Sequence, residues 1–115
     1  MITDIVKPEI DYIAINFARS IYKNNIAHTT ESIRDAAKCR EEGYNFSQIE
    51  MIVTRTICIL HIIEFLKEQD MRGKLTDVVL KNFSKKYNYD IYTLSIAAEI
   101  MSENNKETNI MAFSV

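Results

Sequence analysis

The sequence predicts an all-α fold, a bundle of four to five helices around a buried central helix at about 48–70. Three observations carry that prediction. First, Ile49, Ile52, Val53, Ile57, Ile59, Leu60, Ile62, Ile63, Phe65 and Leu66 cover nearly the whole circumference of a helix, interrupted chiefly by Thr54, Arg55, Thr56, His61 and Glu64. A helix so apolar is enclosed by protein on most sides. Second, the 115 residues contain only two glycines and one proline, too few for the turns of an all-β or α/β fold. Third, the flanking segments repeat apolar residues at three- and four-residue spacing between recognisable caps.

The first helix is expected over about 8–23. Pro8 suits an opening turn because its missing N–H would have no partner there. Ile10, Ile13, Ala14, Phe17, Ala18 and Ile21 form its stripe, widened by Tyr12, Ile15 and Tyr22, and Asn24-Asn25 end it. The second helix follows a Thr29-Thr30 cap to about Glu42, with a thin apolar face of Ile33, Ala36, Ala37 and Cys39 and Gly43 as its stop. Ser47 and Glu50 form a capping box for the third helix, with Phe46 stapled onto Met51 and Gly73 beyond its end. The fourth spans about 76–87 and buries Val79, Leu80, Phe83 and Tyr87. The fifth, capped by Asp90, spans about 91–103 and buries Ile91, Leu94, Ala97, Ala98 and Met101. Residues 1–104 read as a single helical domain and 105–115 as a C-terminal tail that docks on the chain itself or on a partner.

Hydrophobic content of 47% and charged content of 26% are ordinary for a globular chain. A net charge of −2 gives no overall positive field to recruit nucleic acid. Cys39 and Cys58 lack CxxC spacing and read as buried free thiols in a reducing compartment. The opening MITDIVKPEI has neither a basic nor an apolar leader region, and the longest apolar run falls short of the roughly 20 residues of a membrane span. A cytoplasmic protein with no membrane association is expected. The abundance of Ile, Asn and Lys suits an AT-rich source such as a phage or low-GC bacterium.

Charge is distributed unevenly. Residues 72–86 hold Arg72, Lys74, Lys81, Lys85 and Lys86 against Asp77 alone. This stretch leads into a loose helix-turn-helix pattern, with Ser84 facing the second helix and Asn88 as a turn residue tolerant of positive φ. The second helix offers Tyr92, Thr93, Ser95 and Glu99 and no cation, so these basic residues would at most position phosphates. The alternative is an ordinary helical hairpin with a solvated basic face.

Arg55 is followed six residues later by His61, which resembles the loosest form of the Arg–His pattern of small helical HEPN nucleases. That resemblance covers two residues and implies RNA phosphate chemistry. On one helix the two side chains point about 120° apart, so a composite site would draw on a dimer partner. The plainer reading places both on one exposed or partner-facing strip. Glu64, three residues after His61, completes at most half a metal site, and His28 is the only other histidine, so no metal or cofactor is expected. Gly-rich phosphate loops, GxSxG and HExxH are absent from the sequence.

The aromatic surplus is more informative. Tyr12, Tyr22, Tyr44, Tyr89, Tyr92 and Phe46 exceed what a core already filled by the central helix accommodates, and tyrosine suits interfaces because it adds area with a polar handle. Ile110, Met111 and Phe113 give the tail an apolar end. The sequence therefore reads as a small intracellular non-enzymatic interaction module: an adaptor, inhibitor or regulatory subunit. Its interface would draw on Tyr12, Tyr22, Tyr44, Tyr92, Ile110, Met111 and Phe113, with a protein partner or self-association. The runner-up is a nucleic-acid-associated helical protein, and a HEPN-type ribonuclease stands third.

Overall fold

The computed structural model describes the backbone of residues 8–27, 29–40 and 43–114, and side chains from Glu9 to Glu103 apart from His28 and Arg40–Glu42. It is all-helical: α1 (Pro8–Lys23), α2 (Thr30–Arg40), α3 (Phe46–Met71), α4 (Asp77–Tyr87) and α5 (Ile91–Ser114), with no strand among the described residues. The chain divides into two compact units, Met1–Cys58 and Ile59–Val115, with the boundary inside α3.

In the first unit, α1 buries Ile10, Ala14 and Ala18 at four-residue spacing, α2 buries Ile33 and Ala37, and α3 buries Ile49, Ile52, Val53 and Thr56. Each fully buried isoleucine contributes about 1.5–3 kcal/mol from water exclusion. The alanines of α1 leave room for close approach, and the Thr56 hydroxyl lies 3.4 Å from the Ala14 carbonyl while donating to the Ile52 carbonyl at 2.7 Å. That second bond satisfies the one polar group that α3 buries here. Ion pairs add register: Arg55 Nε donates to Asp11 Oδ1 at 2.6 Å, joining α3 to α1, and Arg34 pairs with Glu50, joining α2 to α3.

Local signals set the helix ends. Asn25 (φ 53°), Gly43 (φ 107°) and Gly73 (φ 67°) stand at the expected stops in the left-handed region. Thr29 Oγ1 accepts from the Ser32 amide at 3.1 Å and caps α2. The end expected for α2 at Glu42 lies outside the described residues. The start of α3 differs from expectation. Asn45, not Ser47, is the cap: its Oδ1 accepts from the Gln48 amide at 2.8 Å, and its own amide donates to Gln48 Oε1 at 2.9 Å. Glu50 is instead held by Arg34, across 16 positions of sequence. Phe46 is consequently the first residue of α3, 71% exposed beneath the Arg34 guanidinium, in place of a staple on Met51.

In the second unit, α3 contributes buried Ile59, Leu60, Ile62, Ile63 and Leu66, α4 contributes Phe83, and α5 contributes Thr93, Ile96, Ala97 and Ile100. Thr76 caps α4 by accepting from the Val79 amide. Asp90 caps α5, accepting from the Thr93 amide at 2.8 Å. Asn88 (φ 58°) ends α4 in the left-handed region, and the Ser84 hydroxyl donates to the Tyr89 carbonyl at 2.6 Å.

Several burial expectations are corrected. Along α3 the buried side chains occupy about half the circumference; Thr54 and Glu64 are exposed, and Ile57, Cys58, His61 and Phe65 are half-buried. Cys39 and Ala36 are exposed because Ile33 and Ala37 alone face the core of the first unit. Tyr87 (42% exposed), Ile91 (79%) and Ala98 turn outward, since Thr93, Ile96, Ala97 and Ile100 define the inward face of α5. Helix α5 continues to Ser114 through the segment expected to be a tail; residues 104–114 contain neither Gly nor Pro to stop it.

Candidate functional site

The second unit carries a groove of about 450 Å³ between α3 and α4. Helical periodicity builds both walls. His61 and Phe65 lie one turn apart on α3, as do Glu64 and Glu68, while Val79, Phe83 and Tyr87 recur every four residues on α4. Glu64 and Glu68 edge one wall, and Asn82 and Lys86 edge the other.

An aromatic cluster forms the floor. Phe65 and Phe83 stack with centroids 3.8 Å apart at 11°. His61 meets Tyr87 edge-on at 4.7 Å and Phe83 at 5.4 Å. His61 Nδ1 is hydrogen-bonded to the Tyr89 hydroxyl at 2.7 Å, which ties the turn after α4 to α3. The Lys86 ammonium lies 5.3 Å from the Tyr87 ring centroid, a cation–π arrangement at the groove edge.

The residues expected to carry function fall as follows. Tyr12 (65% exposed), Tyr22 and Tyr44 belong to the first unit, the last two half-buried; Tyr92 (58% exposed) belongs to the second. The side chains of Ile110, Met111 and Phe113 lie outside those described, as does His28. Arg72 pairs with Glu68 at 2.9 Å, both well exposed. Lys74, Lys81 and Lys85 are exposed, and none has an ion pair among the described residues.

Arg55 and His61 do not form the single polar strip expected of them. Arg55 is half-buried against Asp11 in the first unit; His61 is half-buried among the rings of the second. Among the described residues no group of three His, Cys, Asp or Glu side chains is placed to hold a metal ion, and no helix is long and apolar enough to cross a membrane.

Sequence reasoning placed Phe83 in the core but missed the assembly of His61, Phe65, Tyr87 and Tyr89 around it. The available signal was the four-residue recurrence of aromatic side chains on both helices, Phe83–Tyr87 matched by His61–Phe65. No family model matches the chain, and no curated protein or solved structure shows significant similarity to it.

Proposed function

We propose that this chain is a small intracellular, non-enzymatic interaction protein that receives the apolar anchors of a partner protein's helix in the α3–α4 groove. The groove carries the reading: its floor is aromatic, its edges are charged, and its walls are two helices. An apolar centre with a polar rim is the usual anatomy of a protein interface, and a groove between helices is a standard seat for an amphipathic helix. Exposed Tyr87 adds apolar surface to the groove lining. The ribonuclease alternative gains no support from geometry, because Arg55 and His61 are each engaged inside their own unit.

The test is paired affinity capture from the native host with the wild-type chain and an Asn82→Trp variant. Asn82 is exposed and lines the groove, so the indole would fill it without disturbing the core. The reading expects proteins retained by the wild type and lost by the variant at unchanged melting temperature. Identical capture by both forms, or none by the wild type, overturns it.

A further inference from the structure

We propose that the outward face of α4 is a contact surface for the sugar–phosphate backbone of nucleic acid, separate from the α3–α4 groove. Val78, Lys81 and Lys85 share that face at three- and four-residue spacing, and all are exposed. Lys74 precedes the helix by three residues. Lys81 and Lys85 stand one turn apart, about 6 Å along the axis.

What sets these lysines apart from the paired arginines is the lack of a carboxylate partner. Arg34, Arg55 and Arg72 each have one, in Glu50, Asp11 and Glu68. Among the described residues Lys74, Lys81 and Lys85 have none, and α4 carries a single acid, Asp77, at its opposite end from Lys85. Five cations and one carboxylate thus fall within fifteen residues of a chain whose net charge is −2. The helix dipole favours Lys85 in the last turn but gives no reason for Lys81 at mid-helix or Lys74 before it.

The turn fixes how this face is presented. Ser84 and Tyr89 are joined twice, by the Ser84 hydroxyl on the Tyr89 carbonyl at 2.6 Å and the Tyr89 amide on the Ser84 carbonyl at 3.1 Å. Residues 91–103 of α5 contain no Lys or Arg, and Glu99 is exposed, so α5 is poorly suited to read base edges. The contact is therefore sequence-independent and electrostatic, a polyphosphate held by three ammonium groups.

The experiment is fluorescence anisotropy with a labelled 20-base single strand and the matching duplex, at 50 and 200 mM salt. Three phosphate contacts give a log–log salt slope of about −2.7 for duplex and about −2.1 for single strand, or roughly 40-fold and 20-fold weaker binding over that range. Whichever form binds more tightly identifies the source of the backbone. Lys85→Glu should weaken binding at least tenfold. Lys38→Glu, which makes the same change in net charge at an exposed position of α2, should leave it within twofold. No binding to either oligonucleotide at 50 mM salt overturns the proposal, as does equal weakening by the two variants. Loss of a captured acidic protein by Lys85→Glu, without oligonucleotide binding, also overturns it and assigns this face to that protein. Asn82→Trp capture tests the groove separately, so either reading can fail alone.

Discussion

Replacing Phe83 with alanine tests the aromatic floor most sharply. Phe83 is 5% exposed and lies within 5.7 Å, centroid to centroid, of Phe65, His61, Tyr87 and Tyr89. Truncating a buried phenylalanine costs about 3–5 kcal/mol, combining lost transfer energy with the cavity left behind. Two structural facts pull in opposite directions. Four ring partners add packing beyond area burial, about 0.5–1.5 kcal/mol for a well-placed pair and less than additive in a cluster. The adjoining groove, however, lets water and the half-buried Phe65 ring fill the vacancy, which lowers the cavity penalty. The expected loss is therefore about 3 kcal/mol, a large part of the 5–15 kcal/mol typical of a domain. Urea unfolding followed by far-ultraviolet circular dichroism measures it, with Phe83→Leu at about 1 kcal/mol and Ile91→Ala within 0.5 kcal/mol as controls. A Phe83→Ala cost below 1 kcal/mol, or one matched by Ile91→Ala, would refute the assignment of Phe83 as the centre of this cluster.

Two further predictions follow from the ion pair and the cap. In a double-mutant cycle of Asp11→Asn and Arg55→Met, the pair should show a coupling energy of about 1–2 kcal/mol in urea unfolding, because both side chains are mostly shielded from water; coupling near zero would reduce it to an ordinary surface contact. Asn45→Ala should destabilise the chain by about 1 kcal/mol while Ser47→Ala changes stability by under 0.5 kcal/mol, the reverse of what the Ser47–Glu50 pattern predicts.

How far the sequence discloses this structure depends on the range of each interaction. Asn25, Gly43, Gly73 and Asn88 announce their turns because left-handed backbone is a property of the residue itself. Thr29 and Asp90 announce their helices because a cap reaches only two or three residues ahead. The start of α3 departs from its local signal for a tertiary reason. Asn45 with Gln48 and Ser47 with Glu50 are both competent capping pairs, and the Arg34–Glu50 contact takes one of them away. Exposure of Cys39, Tyr87 and Ile91 was unreadable for a similar reason: residue type gives the preference for burial, while the neighbouring helices decide which face is covered. Of the candidate site, the basic stretch at 72–86 was visible as composition. The groove was not, because its closing link, His61 to Tyr89, spans 28 positions.

The central claim is that α3 supplies the largest share of buried side chains in each unit. Native-state hydrogen exchange by NMR measures this directly. The amides of Ile52–Leu66 should be the slowest in the chain, exchanging only through global unfolding, while those of Asp77–Tyr87 and the first turn of α5 exchange faster through local opening. Exchange over 52–66 as fast as that of α4 would contradict the claim.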